Sequence, residues 1–219
     1  MDHKKNFYDA DVAPVPKKTF YSAVKRLFDI VFSFLLLIVL SPLFLILALI
    51  IRICDGGPAF YVSTRLTTGG RPFKMYKFRS MRINADRELE NLKDQNEMND
   101  GPAFKMSDDP RVTKFGHFLR RSSLDELPQL WNVFIGDMSF VGPRPPLPEE
   151  VRRYTVYQKQ RLAVKQGLTC YWQCSGRNDI GFAEWVELDL KYIRERSLLT
   201  DLKILFRTVG AVITMRGAK

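Results

Sequence analysis

IVFSFLLLIVLSPLFLILALII, Ile30 to Ile51, is a run of 22 residues without a charge, interrupted only by Ser33 and by Ser41-Pro42. A run of 18 or more apolar residues is a membrane candidate. A cleaved signal peptide does not suit it, because the run begins about 30 residues in and no A-x-A-type site follows. Pro42 removes an N–H donor and disfavours helix at Ser41, so the run divides into halves of about 12 residues. At about 1.5 Å per residue each half reaches about 18 Å, short of a hydrocarbon core of about 30 Å. Both flanks are basic: Lys25-Arg26 precede the run, and Arg52, Arg65, Arg71, Lys74, Lys77, Arg79 and Arg82 follow with only Asp55 opposing. Basic flanks favour the cytoplasmic side. A helix that enters, bends at Ser41-Pro42 and returns to the same face meets both constraints. An ordinary kinked transmembrane helix is the alternative, since proline is tolerated there.

Outside this run the chain is that of a folded, water-exposed body. Its 219 residues suffice for one sizeable core, and 46% hydrophobic content is too apolar for a disordered chain. A mean hydropathy of −0.16 leaves room for at most one or two membrane segments. Thirty-four Lys and Arg against 24 Asp and Glu give +10, a charge suited to nucleic acid, an anionic membrane or a phosphate-rich substrate. Cys54, Cys170 and Cys174 are an odd number, and Cys170-x-x-x-Cys174 has no second Cys/His pair to complete a zinc site. They suit a reducing cytosolic setting.

Residues 1–21, with Pro14 and Pro16 and no periodicity, read as a flexible arm. Ala59 to Arg65 and Arg71 to Phe78 are rich in Phe, Tyr, Val and Thr around Thr68-Gly69-Gly70, which predicts a β-hairpin. A short exposed helix is expected over 83–98, another from Asp109-Pro110 through about Arg121, and a third along Leu127, Leu130, Trp131 and Phe134 up to Gly136. From 182 to 216 the pattern predicts two amphipathic helices parted at Leu199-Thr200, the second lying on a membrane surface or closing the core. No internal repeat is visible.

The P-loop, dinucleotide, H-E-x-x-H zinc and G-x-S-x-G signatures are all missing, and the two histidines, His3 and His117, sit in the arm and on a helix surface. What stands out is carboxylate beside arginine: Arg120-Arg121-Ser-Ser-Leu-Asp125-Glu126, then Gly142-Pro143-Arg144-Pro145. Ser123-Leu-Asp-Glu126 fits a capping box, in which Glu126 merely satisfies a helix start, although Pro128 suits a start nearer Asp125. The same geometry could instead present phosphate to backbone N–H groups beside an ionised carboxylate. Adjacent carboxylates then call for magnesium, and Arg144 offers a rigid fork to phosphate oxygens.

Taken together, these residues resemble the bacterial sugar transferase family, the monotopic polyprenyl-phosphate phosphoglycosyl transferases. The matching pieces are Lys25-Arg26-x-x-Asp29, the Ser41-Pro42 break, YKFRSM at 76–81, DPRVTKFGHFLRRSSLDELPQLWNV at 109–133, GDMSFVGPRP at 136–145 and GLTCYWQCSGRN at 167–178. The match runs from about residue 22 onward and is similar to the short form limited to the catalytic domain. The family commonly has Gly-Leu-x-Gln-Val where this chain has Cys170-Tyr-Trp-Gln-Cys174, a departure that bears on the sugar pocket.

The resemblance implies an α+β monotopic membrane protein: an arm over 1–21, a reentrant helix over 22–55 broken at Ser41-Pro42, and a mostly helical catalytic region over 56–219 with amphipathic C-terminal helices. It implies transfer of a sugar phosphate from a UDP-sugar to polyprenyl (undecaprenyl) phosphate, with release of UMP, at the cytoplasmic face of the bacterial inner membrane. Asp125 would be nucleophile and Mg2+ ligand, Glu126 its catalytic partner, and Lys77, Arg120 and Arg144 phosphate binders. Membrane lipids and downstream glycosyltransferases would be partners and nucleic acid would not; the oligomeric state is left open. A membrane-anchored adaptor using its basic face is the alternative from another class.

Overall fold

The structure is a computed structural model that describes residues 12–98, 100–175 and 180–213. Two helices open it, α1 (Thr19–Val39) and α2 (Ser41–Asp55), bent by 60° at Leu40. Proline chemistry accounts for the bend. Pro42 cannot donate to the carbonyl of Ile38, and the Ser41 hydroxyl takes that acceptor at 2.7 Å. Among the described residues no single helix is long and apolar enough to cross a membrane, whereas the bent pair passes that test together. Ile38, Val39, Leu45, Ile46, Leu49 and Ile53 are all more than half exposed. An uncovered apolar surface of this kind marks a membrane or partner contact.

The hairpin forms from β1 (Phe60–Leu66) and β2 (Pro72–Phe78), antiparallel with Phe60 opposite Phe78 and Leu66 opposite Pro72, one residue later at most strand ends than the sequence predicted. Then come α3 (Ala85–Leu92), α4 (Lys114–Arg121), α5 (Gln129–Ile135), β3 (Ser139–Val141), α6 (Pro148–Arg152), α7 (Val156–Lys159), β4 (Gly167–Thr169), α8 (Tyr171–Ser175), α9 (Phe182–Glu195) and α10 (Leu198–Ile213). β3 and β4 pair in parallel, with Ser139 opposite Gly167. The main core gathers Phe73 and Met75 of β2, Leu130 and Val133 of α5, Phe140 of β3 and the inner face of α9. A second cluster joins Leu47 and Ile51 of α2 to Phe78 and Leu119.

Several expectations are corrected. The helix expected from Asp109-Pro110 starts only at Lys114, because Asp109 is engaged by Arg111 at 2.6 Å and Thr113 supplies the cap, accepting from Gly116 N at 2.9 Å. The exposed helix over 83–98 shrinks to α3 followed by a 3-10 turn over Lys93–Gln95. The break between the last helices falls at Arg196-Ser197 instead of Leu199-Thr200, where the Ser197 hydroxyl accepts from Thr200 N at 3.2 Å. α10 closes the core through Ile204, which is fully buried, while Leu202, Phe206 and Val209 on its other face stay exposed. Residues 1–11, 99, 176–179 and 214–219 lie outside the described residues, and with them His3, Asn178 and the expected end of the last helix near Arg216.

The arm and the basic flank also differ from expectation. α1 begins at Thr19, inside the expected arm, and residues 12–18 lie along the body: Ala13 N donates to Gln160 Oε1 at 2.9 Å, and Arg196 donates to Pro16 O at 2.7 Å. Lys25 pairs with Asp201 at 2.6 Å, where Tyr21 also donates at 2.9 Å. Arg26 donates to the carbonyls of Val133 and Phe134 at the end of α5, both at 2.7 Å. Asp29 is 2% exposed and accepts from Ser139 Oγ at 3.1 Å and Phe140 N at 3.0 Å. The three residues thus bind α1 to α10, α5 and β3.

A buried ion pair ties the far side together. Arg161 and Asp189 are both 0% exposed, joined at 2.9 Å and 2.5 Å, and Arg161 also donates to Tyr154 Oη at 3.0 Å. The Arg161 guanidinium lies over Trp185, which stacks on Trp172, over which Arg144 lies in turn. The PRP loop therefore rests on a column that ends in the deepest ion pair of the described residues.

Candidate active site

Asp125 lies on a 3-10 turn, Leu124–Glu126, between α4 and α5. The capping-box reading fails there: Ser123 has φ 59° and makes no side-chain cap bond, and Glu126 points into the cleft instead. Left-handed backbone at a non-glycine residue is a strained conformation of the kind that gathers at functional sites. The turn is held from both sides. Gly116 lets α4 press on the YKFRSM segment, since a Cβ there would fall 1.9 Å from Ser80 O. This approach carries Arg120 Nε to 2.9 Å from Ser80 Oγ. On the other side Asn132 of α5 clamps β2 edge-on, accepting from Tyr76 N at 3.1 Å and donating to Lys74 O at 2.7 Å.

Those contacts bring Lys77 to the carboxylates. Its Nζ is 2.8 Å from Glu126 Oε1 and 3.9 Å from Asp125 Oδ2. Glu126 Oε1 also faces Arg144 at 3.5 Å, and Glu126 Oε2 accepts from Gln173 Nε2 at 3.1 Å. Glu126 thus collects the close cations, while among the described residues Asp125, 8% exposed, has the long contact to Lys77 as its one ion pair. Burial pushes the Asp125 carboxyl up to about 6, with Lys77 opposing and Glu126 adding to the rise. A carboxylate of that basicity is largely ionised at neutral pH and a better nucleophile than an ordinary aspartate. Burial also lowers Arg120 below the usual guanidinium value.

The dyad opens on a cleft of about 740 Å3, a size suited to a nucleotide-sized ligand. Lys77, Arg120, Asp125, Glu126 and Arg144 all line it. Four of the five site residues therefore converge on Asp125, as expected from the sequence. Ser41 and Pro42 act at the helix bend instead and do not line the cleft. His117 is exposed on α4 and also stays out of it, while Cys170 is buried, its thiol pushed up to about 12 by desolvation. Among the described residues no group of three or more His, Cys, Asp or Glu side chains gathers for a metal.

The sequence reading missed two side chains. Gln173 of α8 braces Glu126 from below, and Arg65 of β1 lines the cleft beside Arg144, donating to Pro145 O at 3.2 Å. Gln173 stood within the CYWQC departure, whose glutamine was a visible signal. In the sequence Arg65 reads as part of the basic flank, and the pairing of β1 with β2 puts it on the face that lines the site.

A family model described as bacterial sugar transferase matches residues 20–215. The chain belongs to the bacterial sugar transferase family. Among relatives of this sugar transferase, the exopolysaccharide production protein ExoY of Sinorhizobium fredii is 44% identical over 202 residues, covering 89% of this chain and 87% of that protein. The undecaprenyl-phosphate galactose phosphotransferase of Salmonella typhimurium is 44% identical over 89% of this chain and 41% of its own length. The galactosyl transferase CpsE of Streptococcus agalactiae is 49% identical over 75% of this chain and 37% of its own. The chain thus spans less than half of two of these relatives and most of the third.

Proposed function

We propose that this sugar transferase moves a sugar phosphate from a UDP-sugar to polyprenyl phosphate at the cytoplasmic face of the bacterial inner membrane, releasing UMP. The observation that carries the reading is the Asp125–Glu126 dyad in a basic cleft, with Glu126 holding Lys77 and Arg144 while Asp125 remains unbonded by close cations. In the first displacement an Asp125 carboxylate oxygen attacks the sugar-bearing β-phosphorus, the bridging P–O bond breaks, and UMP leaves with that oxygen. In the second, an oxygen of polyprenyl phosphate attacks the same phosphorus, freeing the Asp125 carboxylate and forming the lipid diphosphosugar. Lys77 and Arg144, held by Glu126, and Arg120, held by Ser80, neutralise the phosphates; positioning and charge supply most of the catalysis in phosphoryl transfer.

Magnesium fits this donor set. Asp125, whose nearest ion-pair contact is Lys77 at 3.9 Å, would hold it, and Mg2+ commonly takes one or two carboxylates with substrate phosphates and water. When bound it would neutralise charge on the phosphates. The names of two relatives point to galactose, so UDP-galactose is the first donor to test. A UMP-release screen of the detergent-solubilised protein across UDP-sugars, with undecaprenyl phosphate and magnesium, tests the reading. No UMP from any donor would leave the adaptor reading standing.

The exposed apolar faces of α1 and α2 support a reentrant hairpin whose bend lies in the bilayer and whose ends share one side. Cysteine-accessibility labelling at positions near 22 and 60 is expected to report the same cytoplasmic side; labelling from opposite sides refutes the hairpin. Pro42→Ala restores a donor for Ile38 O and should convert part of the population to a spanning form.

Arg144→Lys keeps the charge on the PRP loop but loses the planar fork and the stacking on Trp172. UMP release should fall at least about tenfold, roughly 1.4 kcal/mol of transition-state stabilisation. Normal turnover of the lysine variant would make Arg144 a loop residue only.

A further inference from the structure

Beside the dyad is a second, much smaller space of about 10 Å3, lined by Arg65, Lys77, Glu126, Gln129 and Arg144 among others. It has room for about one water-sized oxygen. Two of its lining residues carry donors that no anionic group among the described residues answers. Gln129, the first residue of α5, is 3% exposed, and its Nε2 has no hydrogen-bond partner among the described residues. Leaving a buried amide donor unmet costs about 1–3 kcal/mol. Arg65 makes no ion pair among the described residues; its bonds go to neutral oxygens, Ser63 Oγ at 3.3 Å and Pro145 O at 3.2 Å.

The charges sharpen the point. Arg65 and Arg144 stand near enough to repel, and burial followed by the Arg144 charge holds Arg65 below the usual guanidinium value. Glu150 and, less strongly, Glu126 offset this from a distance, but neither forms an ion pair with Arg65 among the described residues, and the Glu126 oxygens are engaged by Lys77, Arg144 and Gln173. Two crowded guanidinium groups and an unmet amide around an oxygen-sized space suit an incoming anion better than any group already in the protein.

We propose that Arg65 and Gln129 form an oxyanion subsite beside Glu126 that binds a non-bridging phosphate oxygen of the diphosphate substrate. The identity of that substrate rests on the transferase reading, but the chemistry of the subsite requires only a phosphate anion. Arg65 supplies charge and a donor, Gln129 a neutral donor, and the bound oxygen relieves the repulsion between Arg65 and Arg144. The subsite also gives the β-hairpin a task in substrate binding, since Arg65 is the β1 residue that reaches the PRP loop.

The test is calorimetric titration of the full-length, detergent-solubilised protein with inorganic pyrophosphate at low salt, alongside thermal melts of the unliganded protein. Arg65→Gln and Gln129→Leu should each weaken pyrophosphate binding at least tenfold. Neither should lower the unliganded melting temperature, because one removes a repelled charge and the other an unmet donor. Wild-type affinity in either variant overturns the subsite. So does a lower melting temperature for unliganded Gln129→Leu, which would show that the amide serves the fold or a structural water only. UMP release from UDP-sugars, measured in parallel, separates the two readings. If the wild type releases no UMP but the pyrophosphate pattern holds, the transferase reading fails and the subsite stands. If UMP release proceeds and both variants bind pyrophosphate normally, the subsite alone fails.

Discussion

Asp125→Asn is expected to reduce UMP release by at least about 10⁴-fold, on the order of 5.5 kcal/mol, while leaving the protein folded. The loss follows from the proposed covalent step, for which an amide oxygen is no substitute. Folding should not suffer, because burial holds the Asp125 carboxyl near 6, above its ordinary value of 3.8. A raised carboxyl pKa means that the ionised form costs folding free energy above about pH 6, and that this cost fades as pH falls toward 4. A neutral isostere removes the cost at pH 7, so the melting temperature should hold or rise. The wild type, given UDP-sugar and magnesium without acceptor, should release UMP in a burst near one per active molecule. Intact-protein mass spectrometry should show a sugar-phosphate adduct at Asp125 that disappears when undecaprenyl phosphate is added. Glu126→Gln should slow turnover without moving the adduct, since Glu126 organises Lys77, Arg144 and Gln173 around a neighbour that does the bonding. UMP release that requires the lipid, with neither burst nor adduct, would falsify the nucleophile assignment.

Asp189→Leu should destabilise the fold by about 3–5 kcal/mol, since it leaves Arg161 charged and alone at 0% exposure. At about 2–4 °C per kcal/mol for a chain of this size, the melting temperature should drop by roughly 6–20 °C. The double replacement Arg161→Met with Asp189→Leu should recover much of that, because removing both charges leaves no unpaired ion. The column running from Arg161 through Trp185 and Trp172 to Arg144 adds a functional consequence: catalysis should weaken in Asp189→Leu before the protein melts. A melting curve unchanged from wild type would show that solvent reaches Arg161.

The hairpin, the bend at Ser41-Pro42 and the convergence of Lys77, Arg120, Glu126 and Arg144 on Asp125 could all be read from sequence, because each rests on local chemistry or on motifs with fixed spacing. What could not be read is pairing at long range. Lys25 and Arg26 read as the basic, cytoplasmic-side flank of the apolar run, and they are bound to Asp201 and to the end of α5, at separations of more than 100 residues. Arg65 looked like part of the same flank and turned out to face the site once β1 folded against β2. Ser123-Leu-Asp-Glu satisfied a cap by composition, yet a left-handed Ser123 released the glutamate to the cleft. In each case a plausible local partner lost to a distant one that no periodicity announces.

The seat of Asp29 on β3 has a practical consequence for anyone wishing to handle this protein in water. Deleting the N-terminal forty residues would strip away the exposed apolar face of α1 but keep that of α2, and it would also leave Phe140 N and Ser139 Oγ without their acceptor and the last carbonyls of α5 without Arg26. Asp201 would lose Lys25 and Tyr21 in the same cut. A shortened chain of that kind should precipitate or melt early. A soluble form is better sought by recolouring the hairpin in place, exchanging Leu45, Leu49 and Ile53 for glutamate, lysine or glutamine while Lys25, Arg26 and Asp29 keep their seats.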